Sequence, residues 1–218
     1  MKEERNEVEI LFVGSVVERK GVDILLQATL PLFAEFPNMQ LHMVGTGDLI
    51  RALRDWTQDA GIDERVVFED ALSTASVPQR MATADVLVLP SRWDGWGIVV
   101  NEALSVGLPV IVSDRCGAAD LIQQGINGYI FRSECVEDLR DRIRRFLTEP
   151  DSQPRMASDA TRIGRALATD VVAPYLIACL RHMLGEEGEP PVPPWAHELG
   201  IAGERPSIRR ILPRGDRR

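Results

Sequence analysis

Short apolar runs alternate with segments of helical periodicity along most of the chain. Residues 8–13, 41–44, 66–68, 86–89 and 109–112 are largely apolar, the pattern of strands buried on both faces. Such strands fit a parallel sheet covered by helices, because a half-solvated antiparallel sheet would alternate. Between them, Val22, Leu25, Leu26, Thr29, Leu30 and Phe33 keep roughly helical spacing, and Leu49, Leu53 and Trp56 mark a second helix. A third starts after Gly95-Trp96-Gly97 and stops at Gly107, with Pro109 just beyond, since glycine followed by proline ends a helix. Further helices are expected over 136–147, 155–167 and 171–184. Pro174 would sit in the first turn of the last, where its missing N–H costs little. Right-handed crossovers then give an α/β fold, a doubly wound parallel sheet with helices on both faces.

Composition narrows the picture. A chain of 218 residues buries one good core and hardly two full-sized ones. With 44% hydrophobic and 27% charged residues, it has the balance of an ordinary soluble, packed protein. The formal charge of −8 argues against a broad basic surface, so no nucleic-acid partner is expected and any anion site must be local. Cys116, Cys135 and Cys179 are widely spaced and form no CxxC pattern, which suggests reduced thiols rather than a disulfide framework or a zinc site. The first seven residues lack an apolar signal region, and no run of eighteen apolar residues follows. Neither secretion nor a membrane span is expected, and the expected location is cytoplasmic. After Leu184 the composition turns rich in proline and arginine, so the reading is a domain over 1–184 and a flexible tail over 185–218. Its arginines could touch an anionic lipid surface or a partner protein, although a solvated charged terminus is the commoner state.

Doubly wound sheets take ligands beyond the carboxyl ends of their strands, so segments 14–21, 45–48, 91–97 and 113–117 carry the candidate chemistry. Gly14, Ser15 and Gly45 belong to the first two, where small residues let a backbone approach a phosphate. Residues 91–102 say more. Asp94 and Glu102 stand around the Gly95 and Gly97 turn and a helix start near Ile98, which puts Glu102 about one turn in, roughly 5–6 Å along the axis from the first amides. That separation suits a nucleoside diphosphate. Amides around Gly97, Ile98 and Val99 take the diphosphate, and Glu102 accepts from a ribose diol, at about 1.5–3 kcal/mol for each charge-assisted bond. Asp94 then faces the sugar, and Lys20 supplies a cation to stabilise the leaving diphosphate, with Arg19 a weaker candidate. No Asp-x-Asp pair occurs, so neither a metal nor a cofactor is expected beyond the nucleotide sugar itself.

Blander readings stand beside these. Paired acids around a turn are often caps or surface charges. Trp93 and Trp96 more commonly pack on a core or a partner than on a sugar, Arg92 is as apt for a loop as for a phosphate, and His42 in its strand reads as a hydrogen-bonded structural histidine.

The ordered motifs resemble those of the family 4 glycosyltransferases of the GT-B fold. They are Phe12-Val13-Gly14-Ser15 with Glu18-Arg19-Lys20-Gly21, Val44-Gly45-Thr46-Gly47-Asp48, Asp94-Gly95-Trp96-Gly97 leading into Asn101-Glu102-Ala103-Leu104, Gly107-Leu108-Pro109-Val110, and Gly125-Ile126-Asn127-Gly128. The match covers most of residues 8–184. It implies a Rossmann-like domain, the C-terminal half of a GT-B enzyme, which transfers a sugar with retention from a nucleotide-sugar donor. Glu102 matches the second acid of the family's Glu-x7-Glu motif, which holds the ribose, and Asp94 the first, which contacts the sugar. Lys20 and the amides of residues 97–99 would stabilise the diphosphate. Two positions depart from the pattern: Ser15 stands where an arginine usually partners the lysine, and Asp94 where the family has glutamate. The acceptor-binding N-terminal half is also missing, so a separate chain would have to supply it. A second reading is therefore a non-catalytic nucleotide-sugar-binding or scaffold module.

Overall fold

The apolar runs pair as the pattern requires. The structure is a computed structural model and describes residues 7–186, 190–196 and 198. Its strands are β1 (Val8–Val13), β2 (Met39–Val44), β3 (Val66–Glu69), β4 (Val86–Leu89), β5 (Val110–Ser113) and β6 (Gly128–Phe131). They form one parallel sheet in the order β3-β2-β1-β4-β5-β6. Every residue of β4 and β5 is buried, which is why these stretches show no alternation.

The helices are α1 (Val22–Glu35), α2 (Ile50–Asp59), α3 (Val77–Met81), α4 (Ile98–Ser105), α5 (Val136–Thr148), α6 (Gln153–Ala166) and α7 (Thr169–Met183). The β1–β2 and β4–β5 crossovers run in opposite directions along the sheet, so right-handed connections put α1 and α4 on opposite faces. Consistently, α1 packs against α5, while α4 packs against α3 and α6. The Arg144 guanidinium fixes the first pair with two 2.8 Å bonds to Glu35 at the end of α1.

Two elements escape the sequence pattern, and both are short. β6 has four residues and opens on a glycine whose Cβ would lie 1.9 Å from the Val110 carbonyl oxygen, so the residue that permits the pairing also hides it. Before it, buried Asn127 ties its own turn, accepting from the Gln123 amide at 2.7 Å and donating to the Leu121 carbonyl at 3.0 Å. The five-residue α3 is the other. One expectation needs correction: α7 begins at Thr169, so Pro174 lies beyond its first turn and forfeits a bond to the Asp170 carbonyl.

Of the segment 185–218, Trp195, Ala196 and Glu198 make contacts with the rest of the described chain. Ala196 is buried, the Trp195 ring meets Tyr175 edge-on at 5.2 Å, and the Glu198 carbonyl accepts from Gln123 Nε2 at 3.0 Å. Residues 187–189, 197 and 199–218 of the expected tail lie outside the described residues.

On the sheet, Arg80 of α3 bridges Glu9 of β1 at 2.5 Å and Glu69 of β3 at 2.7 Å, and His42 Nδ1 meets Glu69 at 2.8 Å. Hydrogen bonds from Arg80 hold the Glu69 carboxyl below its usual range, against the opposing pull of burial. His42 is the structural histidine its strand position suggested.

Candidate functional site

Where β1 adjoins β4 the strand order reverses, and the carboxyl ends of these two strands open the crevice in which doubly wound sheets hold ligands. The loops that leave them are stitched together. Gly21, at φ 65°, sits so close to Pro90 that a Cβ would lie 2.0 Å from the Pro90 oxygen. The Arg92 amide donates to the Arg19 carbonyl at 2.9 Å, and the Arg19 guanidinium donates to the Trp93 carbonyl at 3.0 Å. Arg92 itself forks onto Asp23 at 2.8 and 2.7 Å and reaches the Glu18 carbonyl at 2.6 Å. These bonds to Arg92 hold the Asp23 carboxyl below its usual range. Arg92 is thus a clamp between the β4 loop and the start of α1.

This frame brings the two predicted catalytic residues into contact. Lys20 Nζ lies 2.5 Å from Asp94 Oδ2, with the two side chains 14% and 12% exposed. Behind them, the Asp94 amide donates to the Arg115 carbonyl at 3.0 Å and the Gly117 amide to the Asp94 carbonyl at 3.2 Å. Gly97, at φ 85°, forms the N-cap of α4. A Cβ there would lie 2.4 Å from Cys116 Sγ, and the Cys116 thiol donates to the Trp96 carbonyl at 2.9 Å. Burial pushes that thiol up to about 11, so it stays protonated as a packing donor. Cys116 and Gly117 shape the turn from behind, a part sequence alone did not assign to them.

The first amides of a helix have no acceptor one turn earlier. Among the described residues, no backbone carbonyl takes up those of Ile98 and Val99. Val99 buries its side chain in the core and Ile98 leaves its own exposed. Glu102 is the fifth residue of this helix. Its carboxylate has no hydrogen bond or ion pair among the described residues, and burial raises its pKa above the usual value. A partly desolvated, unpartnered acid one turn from free amides is arranged to receive hydroxyl donors.

The other candidates take lesser places. The Gly14 and Gly45 amides are committed to the Val44 and Glu69 carbonyls, each at 3.0 Å. What these glycines supply is close approach, since a Cβ on Gly45 would lie 1.9 Å from the Gly14 oxygen. Ser15 and Gly95 are exposed at the rim. Trp93 and Trp96 do not pack on the core: they are 61% and 46% exposed, and Trp96 Nε1 donates to Asn101 at 2.8 Å. A recess of about 560 Å³, lined by Asp85, Leu108, Gln153 and Thr161 among others, lies at the amino ends of β4 and β5, away from these groups. Among the described residues no group of three His, Cys, Asp or Glu side chains converges to hold a metal. No single described helix is long and apolar enough to cross a membrane.

A doubly wound domain whose switch point gathers an ammonium, helix-start amides and two carboxylates is the class these features define. The model of glycosyl transferases group 1 matches residues 2–163, and the chain belongs to that family. It is 35% identical over 123 residues to an uncharacterized glycosyltransferase of Methanocaldococcus jannaschii, covering 56% of this chain and 31% of that protein. It is 27% identical over 157 residues to the alpha-D-kanosaminyltransferase of Streptomyces kanamyceticus, covering 72% and 41%. The chain therefore spans less than half the length of these relatives. Anabaena HepE, solved in complex with UDP-glucose, superposes with a TM-score of 0.71 at 23% identity, over 84% of this chain and 50% of that one.

Proposed function

We propose that this chain is the donor-binding half of a retaining, metal-independent glycosyltransferase of family 4, acting in the cytoplasm on a nucleotide-diphosphate sugar. The carrying observation is the meeting of Lys20 and Asp94 at the switch point, beside the free amides of Ile98 and Val99 and the unpartnered Glu102. The amides and Lys20 hold the diphosphate, Glu102 accepts from the ribose hydroxyls, and Asp94 accepts from the sugar. Relatives named as glycosyltransferases and a like fold solved with UDP-glucose support this reading.

The acceptor comes from a second, Rossmann-like half, on a separate chain or as a further part of a longer one. In the transfer, the acceptor hydroxyl oxygen bonds to the anomeric carbon on the face from which the phosphate oxygen leaves. The departing phosphate oxygen takes the hydroxyl proton. Positive charge and amides close to that oxygen stabilise it as it leaves. This corner by itself is open to water, so the isolated chain should hydrolyse its donor only slowly.

Calorimetric titration with UDP, GDP and ADP tests the reading. One of them should bind the wild type, and Glu102→Ala should weaken that binding by about a hundredfold, the loss of two charge-assisted bonds. No binding by a folded wild type, or equal binding by Glu102→Ala, would overturn it.

A further inference from the structure

The cation assigned to the diphosphate is already engaged. Lys20 Nζ sits on Asp94 Oδ2 at 2.5 Å in a largely buried pair, while the Glu102 carboxylate and the first α4 amides have no partner among the described residues. The pair is not a chance meeting of two flexible side chains. The Lys20 amide is anchored to the Val17 carbonyl at 3.0 Å, and Gly21 just after it is wedged against Pro90. Asp94 is bonded through both its amide and its carbonyl to the segment that follows β5.

A nucleoside diphosphate arriving at the start of α4 must therefore compete with Asp94 for Lys20, and it is also repelled by the Asp94 charge. A nucleotide sugar differs in one decisive way: its sugar brings hydroxyl donors that satisfy the carboxylate and so release the ammonium to the phosphate. We propose that Asp94 is a counter-ion latch on Lys20 that makes the site favour the sugar-bearing donor over the sugarless diphosphate. Once the sugar has left, Asp94 returns to Lys20 and loosens the product. Asp94 acts in this as a positioning residue, through Lys20, in addition to its contact with the sugar. The inference rests on the donor-site reading above, which by itself makes no statement about product affinity.

The test is calorimetry with UDP, GDP and ADP and with UDP-glucose, GDP-mannose and ADP-glucose, on the wild type, Asp94→Asn, Lys20→Met and the double variant. Circular dichroism checks that each is folded. For the diphosphate that binds, Asp94→Asn should bind about tenfold tighter, the scale of freeing one partly buried charge from its partner. The matching sugar nucleotide should gain nothing. Lys20→Met should weaken the diphosphate, and in that background Asp94→Asn should bring a clearly smaller gain, that of relieved repulsion alone. The latch is overturned if Asp94→Asn leaves diphosphate binding unchanged or weaker. It is equally overturned if the gain is the same size with and without Lys20, which signifies simple repulsion. Absence of all diphosphate binding by the folded wild type instead sinks the donor site itself, and the latch with it. If Lys20→Met fails to fold, Asp94→Asn against the wild type still decides, because unchanged or weaker diphosphate binding overturns the latch.

Discussion

Two charged clusters sit on the same sheet and differ in what they leave open. In one, Arg80 is shared between Glu9 and Glu69, and His42 closes on Glu69, so the carboxylates are paired and the group ties β1, β2, β3 and α3 together. In the other, at the β1 and β4 ends, Lys20 and Asp94 are paired but, among the described residues, the Glu102 carboxylate and the first α4 amides are not. A folded chain tolerates a desolvated acid without a partner at a cost in stability, and such a cost is usually met where a ligand is bound. The paired cluster holds the fold, and the incomplete one is where the proposed donor would bind.

The sharpest way to break this comparison is to open the complete cluster. Arg80→Met removes the guanidinium that Glu9 and Glu69 share and should cost about 3 kcal/mol. Urea denaturation would measure it, and nucleoside diphosphate affinity should stay as it was. Because the Glu69 carboxyl lies below its unfolded value, its contribution is present above the ordinary carboxylate range and lost as pH falls through the folded pKa. The variant and the wild type should therefore converge in acid. If instead the variant loses diphosphate binding, the division between the clusters fails.

Gly97→Ala tests the turn that presents the amides. Its φ of 85° and the Cys116 sulfur 2.4 Å from an added Cβ should together cost about 2 kcal/mol and weaken the diphosphate. A thermal melt with no shift would mean the turn is softer than its packing indicates. Glu134→Gly probes strain away from the site. Glu134 has a φ of 63°, and relief of that conformation should stabilise the chain by roughly 0.5 kcal/mol in a urea melt, after the glycine's added freedom in the unfolded chain and the loss of its 3.4 Å contact with Arg92.

The smallest effect has the most telling sign. Burial raises the Glu102 pKa, so any stability linked to its protonation is present below the unfolded pKa and lost as pH rises through the folded one. Glu102→Gln should accordingly melt slightly higher than the wild type near about pH 7 and lose that advantage near about pH 3. A variant less stable at neutral pH would show that Glu102 has a structural partner after all.

Much of this was legible beforehand because it depends on periodicity and on strand order. Runs such as 86–89 and 109–112 announce buried parallel strands, and a reversal beside the first strand brings the post-β1 and post-β4 loops together. Lys20 and Asp94 could therefore be paired with one site without seeing either side chain. What stayed hidden depends on close approach between distant residues. Gly21 against Pro90, Gly97 against Cys116 and Gly128 against Val110 leave no periodic trace, since each glycine is chosen by a neighbour far along the chain. Arg92 was ambiguous for a related reason. A guanidinium fork fits a phosphate and a carboxylate alike, and only the fold shows that Asp23 is within its reach. Trp93 and Trp96 were expected against the core or a partner, and the fold leaves both exposed rather than on the core.

The central claim is that the diphosphate lies on the start of α4 at the β1 and β4 switch point. Nuclear magnetic resonance of the ¹⁵N-labelled chain, titrated with whichever of UDP, GDP and ADP binds, tests it most directly. The largest amide shifts should fall on Gly97, Ile98 and Val99, with Lys20 and Glu102 next. Shifts gathered instead around Asp85, Leu108, Gln153 and Thr161, at the amino-end recess, would contradict the account.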